Sequence, residues 1–150
     1  MICTLEQARA LTAHSYTVAV SGGFDPIHVG HVRYLLAARA LGEELVAIVN
    51  GDGFLEQKKG RAFMPLADRM EIINALACVD IVCAWDGFTV DGALEILRPE
   101  VFAKGGDRTD ETNIPEWETC HRLGIRVATG TGGGKVQSSS DLLAAWAKHD

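Results

Sequence analysis

The chain has 150 residues, of which 47% are apolar, and both values are typical of one domain with a single buried core. Its 14 Lys and Arg residues against 20 Asp and Glu residues give a formal charge of −6, which disfavours nucleic acid as the main partner because nucleic-acid binders usually present a basic face. No apolar run approaches the roughly 18 residues of a membrane span and no signal peptide is apparent, so we expect a cytoplasmic protein without a membrane partner.

Short apolar runs alternate with stretches of helical periodicity. A partial apolar stripe predicts a helix over 4–14, and we therefore divide the chain into an N-terminal helix extension (1–15) and a main domain (16–150). We predict strands at 17–21, 45–50, 79–85, 101–104 and 125–129, and further helices at 29–41, 66–78, 90–97, 115–123 and 139–148. Wholly apolar strands separated by helices are typical of a parallel sheet covered on both faces. The predicted fold is α/β: a single-domain, Rossmann-like, open parallel sheet of about five strands with helices on both faces.

The most informative segment follows the first predicted strand and reads Gly-Gly-Phe-Asp-Pro-Ile-His-Val-Gly-His over 22–31. The paired glycines allow a ligand to approach the backbone, and the free N–H groups of a helix start attract anions. His28 and His31, three residues apart, project from nearly the same side of the first helical turn. This arrangement predicts a phosphate-binding site.

Polar and glycine-rich segments follow the other predicted strands. In open parallel sheets ligands bind beyond the carboxyl ends of the strands, so we expect these segments to surround one crevice. Each also has a simpler interpretation: the basic residues as a solvated loop, the glycines as turn formers, and the serines as the N-cap of the last helix. The segments contain Asn50, Lys58, Lys59 and Arg61 after the second strand, Lys104, Gly105, Gly106 and Asp107 after the fourth, and Ser138, Ser139 and Ser140 after the fifth.

The segment His28-Val29-Gly30-His31 resembles the His-x-Gly-His signature of the cytidylyltransferase-like nucleotidyltransferases, and the resemblance extends over about 16–148. Within this family, the Asn-Gly-Asp and Lys-Gly-Gly-Asp segments look most like the nucleotidyltransferase domain of ADP-heptose synthase. The resemblance implies that a phosphorylated acceptor, such as heptose 1-phosphate, attacks the α-phosphorus of ATP or CTP and releases pyrophosphate. Glycerol-3-phosphate and other alcohol-phosphate cytidylyltransferases are the alternative.

The resemblance also implies roles for individual residues. The catalytic residues are His28, His31 and Lys59, with Lys59 in a mobile loop that closes over the triphosphate. The implied nucleotide-binding residues are Gly22, Gly23, Phe24, Asp25, Gly30, Lys104, Gly105, Gly106, Asp107, Ser138, Ser139 and Ser140. The implied ligands of the acceptor phosphate are Asn50, Lys58, Arg61 and Arg69, although Arg69 could instead pair with Asp68 or Glu71 on a solvated helix face. We expect Mg²⁺ held mainly by substrate phosphates rather than by protein ligands, and a homodimer.

Some positions depart from the family pattern. Glu56 stands near the place of an expected lysine, and the stretch 132–135 before the serines is unusual. Two other functional classes stay open. A P-loop NTPase would use 129–136, but that pattern requires glycine at Thr129 and serine or threonine at Val136. A nucleotide-binding regulator without turnover is the second. A zinc site that combines the histidine pair with a cysteine fits no common ligand spacing.

Overall fold

The computed structural model describes residues 1–134 and 137–148, and these residues contain a five-stranded, all-parallel sheet in the order β3-β2-β1-β4-β5. This confirms the predicted fold class. The strands are β1 (Thr17–Gly22), β2 (Glu44–Asn50), β3 (Ile81–Trp85), β4 (Val101–Ala103) and β5 (Arg126–Ala128). The helices are α1 (Leu5–Leu11), α2 (Val29–Arg39), α3 (Asp52–Lys59), α4 (Leu66–Asn74), α5 (Asp91–Leu97), α6 (Trp117–Leu123) and α7 (Ser139–Ala147).

The apolar strands build one core on each face of the sheet. Alternate residues point to opposite faces, so the consecutive Val18, Ala19 and Val20 of β1 serve both cores. One face packs against α1, α5 and α6 and the other against α2 and α4. This two-sided burial explains why the strands read as continuous apolar runs rather than as alternating patterns.

The position of β1 creates the binding crevice. β1 pairs with β2 on one side and with β4 on the other. The helix that follows β1, α2, covers one face of the sheet, whereas the helix that follows β4, α6, covers the other face. The chain segments at the carboxyl ends of β1 and β4 therefore diverge, and a crevice opens between them.

The structure corrects the prediction of a loop over 57–61. Residues after β2 form α3, so Lys58 and Lys59 belong to the last turn of a helix. Asp52 lies in the first turn, where a carboxylate is favourable, Leu55 is buried, and Gly60 ends the helix with φ 91°, a left-handed conformation that favours glycine. These signals were present in the sequence, but the two glycines at 51 and 53 obscured them.

Several predicted elements end earlier than expected. α4 ends at Asn74 rather than at residue 78, and a turn carries the chain to β3, which begins at Ile81. α1 is limited to Leu5–Leu11 and is capped by Thr4, whose side chain accepts a hydrogen bond from Gln7 N. Tertiary packing decides such ends, and hydrophobic periodicity does not report it.

The N-terminal segment contacts the sheet directly. Cys3 N donates to Val82 O at 3.1 Å, and Ile2 forms a bridge with Val82 beside the edge strand β3. Leu5 and Ala8 of α1 are buried in the same core as β1 and β2. The boundary proposed between 15 and 16 stays a prediction. No helix in the described part of the chain is long and apolar enough to cross a membrane.

Candidate active site

The two histidines cap the start of α2 reciprocally. His28 is the N-cap residue, and its Nδ1 accepts a hydrogen bond from Gly30 N at 3.1 Å, while Nδ1 of His31 accepts from His28 N at 3.2 Å. The rings are stacked, with centroids 3.8 Å apart and planes 24° apart. A neutral imidazole that accepts at Nδ1 carries its proton on Nε2. In the neutral state both rings therefore have an N–H donor on the edge away from the helix cap.

His31 is held in this neutral form. The pKa of His31 is lowered to about 4. Burial is the largest cause, and the nearby positive charges of His28 and Lys59 also contribute. The ring of Phe24 packs edge-on against the His31 ring at 5.2 Å between centroids and contributes to this burial. At neutral pH the group is therefore a hydrogen-bond donor without a net charge.

A first cavity of about 280 Å³ opens over the histidine pair. It brings together His28, His31 and Lys59, the three predicted catalytic residues. Its walls also contain ten of the predicted nucleotide-binding residues, namely Gly23, Phe24, Asp25, Gly30, Gly105, Gly106, Asp107, Ser138, Ser139 and Ser140. Gly132, Gly133 and Gly134 complete the wall, whereas Lys135 lies outside the described residues. Gly22 and Lys104 instead line a second, adjoining cavity.

Asp25 connects the segment after α3 to the loop over 23–28, called here the histidine loop. Its buried carboxylate accepts hydrogen bonds from Phe63 N at 2.6 Å and Met64 N at 2.8 Å. Its carbonyl oxygen accepts from Lys59 Nζ at 2.7 Å, which directs this ammonium toward the first cavity. Burial lowers the pKa of Lys59, and the Asp25 carboxylate opposes that shift. The side chain of Asp25 is thus engaged with the protein, while its carbonyl oxygen positions Lys59.

The serines join the start of α7 to the same loop. Ser138 is the N-cap residue, and its Oγ accepts from Asp141 N at 3.0 Å. Ser139 Oγ donates to Pro26 O at 2.8 Å. The capping interpretation and the phosphate-site interpretation are therefore compatible, because the serines at this helix start also line the first cavity.

Arg69 occupies a structural position that the sequence did not reveal. Its side chain is fully buried, so the solvated helix face considered for it is wrong. Nε donates to Met64 O, Nη1 donates to both Gly23 O and Asn50 O, and Nη2 pairs with Asp52 Oδ1 at 2.6 Å. The expected contact with an acceptor phosphate does not fit this enclosed geometry. Arg69 instead holds the ends of β1 and β2 and the start of α3 together.

The second cavity, of about 470 Å³, adjoins the first and shares the wall formed by His31, Tyr34, Phe54 and Lys58. It lies over the ends of β2, β3 and β4 and is lined there by Asn50, Phe88, Thr89, Val90, Lys104, Arg108 and Glu116. Of the predicted acceptor ligands, Asn50 and Lys58 line it, whereas Arg61 is exposed and outside the walls that the described residues form. Three residues of this lining were not predicted from the sequence, namely Phe54, Phe88 and Glu116. Their positions after the ends of strands and at the start of a helix could have indicated them.

Buried charges and acceptors lie at the base of the second cavity. Lys104 Nζ is 4.0 Å from Glu116 Oε1 and 5.0 Å from the Phe102 ring centroid, and burial lowers the pKa of Lys104. Asn50 Oδ1 and Glu116 Oε1 are buried, and no donor among the described residues lies within hydrogen-bond distance of either atom. A buried acceptor without a donor costs about 1–3 kcal/mol, so both atoms need an explanation.

The described residues provide no cluster of side chains that could bind a metal ion. Across 1–134 and 137–148, no three His, Cys, Asp or Glu side chains are grouped so that they could hold a metal ion. The four cysteines are free thiols, and the stacked histidines use their Nδ1 atoms in the helix cap. The described residues therefore do not fit the zinc site considered from the sequence.

A protein-family model described as cytidylyltransferase-like matches residues 19–127. The bifunctional protein HldE of Streptomyces coelicolor is 48% identical over 111 residues, which cover 73% of this chain and 24% of that protein. HldE of Hahella chejuensis is 39% identical over 126 residues, covering 82% of this chain and 26% of the relative. The chain thus spans about a quarter of the length of these relatives.

One solved structure matches nearly along its whole length. The crystal structure of the lipopolysaccharide core biosynthesis protein from Thermoplasma volcanium superimposes with a TM-score of 0.66 at 26% identity, covering 77% of this chain and 93% of that one. The family match includes the histidine pair, α3 and the second cavity as far as Glu116. The chain therefore belongs to the cytidylyltransferase-like family of nucleotidyltransferases, which confirms the resemblance carried by its His-x-Gly-His segment.

Proposed function

We propose that this chain transfers a nucleotidyl group from ATP or CTP to the phosphate of a sugar 1-phosphate such as heptose 1-phosphate, with release of pyrophosphate. The observation that carries the proposal is the stacked pair of His28 and His31, which line one cavity together with Lys59 and the start of α7. Neutral donors, a cation and a helix start together suit a triphosphate.

The reaction requires positioning more than proton transfer. An oxygen of the acceptor phosphate attacks the α-phosphorus in line, a new P–O bond forms, and the bond to the β-phosphate oxygen breaks with its electron pair leaving on pyrophosphate. The acceptor phosphate is already ionised near neutral pH, so no general base is needed. The protein stabilises charge on the phosphate oxygens, and we assign this role to the Nε2 donors of His28 and His31.

Lys59 and the serines are proposed to bind the leaving pyrophosphate. Lys59 Nζ now donates to the carbonyl oxygen of Asp25, and a phosphate oxygen would compete for the same ammonium. The N–H groups at the start of α7, beside Ser138 and Ser139, would bind the β- or γ-phosphate. We propose that Mg²⁺ is held by the triphosphate oxygens and water, where it would neutralise charge.

The names of the relatives support a sugar acceptor. One structural relative is a protein of lipopolysaccharide core biosynthesis, and such cores are built from sugars. The curated relatives are described as bifunctional proteins, and this chain matches about a quarter of their length. Our proposal therefore concerns the nucleotidyl transfer alone.

The test is a matrix of ATP, CTP, GTP and UTP against heptose 1-phosphate, hexose 1-phosphates, glycerol 3-phosphate and ethanolamine phosphate. We expect pyrophosphate release that requires both a nucleotide and a sugar 1-phosphate. Release of orthophosphate without an acceptor would indicate an NTPase, and nucleotide binding without turnover would indicate a regulator; either contradicts the proposal. Turnover limited to glycerol 3-phosphate or ethanolamine phosphate would replace the sugar acceptor with an alcohol phosphate.

A further inference from the structure

We propose that the second cavity binds the sugar ring of the acceptor, with Phe54 and Phe88 packed against its C–H face and Asn50 and Glu116 accepting hydrogen bonds from its hydroxyl groups. The cavity would thereby select polyhydroxylated sugar phosphates over small alcohol phosphates. This inference rests on the proposed function, because it assigns the acceptor of that reaction.

The aromatic residues provide the first argument. Phe88 is 67% exposed, and its ring lies 5.6 Å from that of Phe54 at 49°, so the two rings form an apolar shelf at the mouth of the cavity. Nothing in the described packing of the core requires Phe88 to stand there. Exposed apolar surface beside a polar cavity is typical of ligand sites. The C–H face of a sugar ring is an apolar surface of matching shape.

The buried polar atoms provide the second argument. Asn50 is 7% exposed and Glu116 is 5% exposed, and both line the cavity. Asn50 Oδ1 and Glu116 Oε1 have no donor within hydrogen-bond distance among the described residues. Glu116 is held at the cavity wall by its other oxygen, which accepts from Val90 N at 3.2 Å. The terminal torsions of such side chains are soft, so a small rotation presents each oxygen to a ligand. Both atoms are acceptors, and hydroxyl groups are the donors that a sugar supplies in quantity.

The position of the cavity provides the third argument. Lys58 and His31 belong to the wall that both cavities share, so a phosphate attached to a sugar in the second cavity would reach the α-phosphorus of a nucleotide in the first. Lys104 and Arg108 add two further cations to the lining of the acceptor side. A volume of about 470 Å³ is ample for a sugar phosphate and much larger than glycerol 3-phosphate requires.

The walls of the first cavity explain why the nucleobase is not assigned to the aromatic shelf. Gly105, Gly133 and Gly134 line the first cavity, and a Cβ atom built on any of them meets no atom within 4 Å. These glycines leave exposed peptide planes against which a flat base can lie. The nucleobase is therefore assigned to the first cavity, and the sugar of the acceptor to the second.

The experiment is direct binding, measured by calorimetry on the full chain with heptose 1-phosphate, a deoxygenated analogue of it, glycerol 3-phosphate and ATP. We expect the unchanged protein to bind heptose 1-phosphate at least tenfold more tightly than glycerol 3-phosphate or the deoxy analogue. Phe88→Ala should weaken the binding of heptose 1-phosphate roughly tenfold, which corresponds to the loss of about one aromatic contact. The affinity for ATP should change by less than about twofold. Phe63→Ala is the matched control, because Phe63 is 60% exposed outside both cavities.

A second pair of variants tests the buried acceptors. Asn50→Leu removes the oxygen at similar volume, whereas Asn50→Asp retains an acceptor; we expect only Asn50→Leu to abolish discrimination against the deoxy analogue. A loss of ATP binding rather than sugar binding in Phe88→Ala would overturn the proposal and identify a nucleobase site. Equal affinity of the unchanged protein for glycerol 3-phosphate and heptose 1-phosphate would also overturn it. Because binding requires no turnover, selective sugar binding without pyrophosphate release would reject the proposed function and retain the cavity.

Discussion

His28 and His31 each accept, through Nδ1, a backbone N–H of the same helical turn, so the residues proposed for catalysis also hold α2 in place. We propose that the opposite edge of each ring, which carries Nε2, donates to phosphate. One imidazole therefore has two separable roles. Substitution by alanine removes both roles at once, so a loss of activity cannot be separated from a loss of stability.

Replacements that keep the cap separate these roles. Asn at position 28 is a favourable N-cap residue, and Gln at position 31 completes a capping box, but neither places an imidazole N–H in the cavity. We expect His28→Asn and His31→Gln each to lower turnover roughly 10²–10³-fold, with a free energy of unfolding close to that of the unchanged protein. His28→Ala should lose the same turnover and about 1 kcal/mol of stability. Pyrophosphate-release kinetics and urea titrations measure both; near-normal turnover in His28→Asn would reject the catalytic assignment.

The pH dependence of stability reports the buried imidazole. The folded-state pKa of His31 is about 4, below the ordinary value of 6.5, so the unfolded chain takes up this proton first as the pH falls. The stabilising contribution is therefore complete above about pH 6.5 and is lost between pH 6.5 and 4. We expect the free energy of unfolding to fall there by on the order of 1–2 kcal/mol more than in His31→Gln, after allowance for solvent screening. Parallel pH curves for the two proteins would show that His31 titrates normally.

Arg69 and Arg61 form a matched pair of arginines with opposite environments. The Arg69 side chain is fully buried and bonded to four residues, whereas Arg61 is exposed. We expect Arg69→Ala to lower the free energy of unfolding by about 3–5 kcal/mol, because three carbonyl groups and Asp52 lose their donors. Arg61→Ala should change it by less than about 0.5 kcal/mol. Thermal and urea unfolding measure the free energy of unfolding of both variants. Similar values would contradict the structural role of Arg69.

Lys59 is predicted to act on the triphosphate more than on the acceptor. Its Nζ reaches the histidine loop at the carbonyl oxygen of Asp25, on the side of the first cavity. We expect Lys59→Ala to raise the KM for the nucleotide at least tenfold while the KM for the acceptor changes less than about threefold. Lys148→Ala, at the exposed end of α7, is the control and should leave both unchanged. Equal increases in the two KM values would remove Lys59 from this role.

Gly132 and Gly133 distinguish close packing from backbone strain. Both have positive φ, 86° and 82°, but a Cβ on Gly132 would lie 2.9 Å from Tyr34 Cα, whereas one on Gly133 would meet no atom within 4 Å. Gly133→Ala should therefore cost only the left-handed strain of about 1–2 kcal/mol. Gly132→Ala should cost more and displace this wall of the first cavity from α2, with weaker nucleotide binding. Equal free energies of unfolding in the two variants would show that the contact with Tyr34 does not affect stability.

The helix α3 shows where local sequence reasoning reached its limit. Its residues carry a buried Leu55 and a C-terminal Gly60, yet the composition after β2 resembled a basic loop. Arg69 shows a different limit, since no spacing in the sequence indicates that Gly23, Asn50, Met64 and Asp52 converge on one guanidinium. Such convergence depends on the register between strands that are far apart in the chain.

The sequence by itself determined the parallel sheet, the helix start that carries His28 and His31, and the strand ends at which the binding segments gather. These follow from apolar patterning and from short motifs, which act over a few residues. Only the tertiary structure decided which atoms of the histidines cap α2, which cation is buried, and that the crevice contains two adjoining cavities with Phe88 and Glu116 in the second. The physical reason is that hydrogen-bond partners and burial arise from packing between distant segments, and packing is fixed only when the whole sheet has formed.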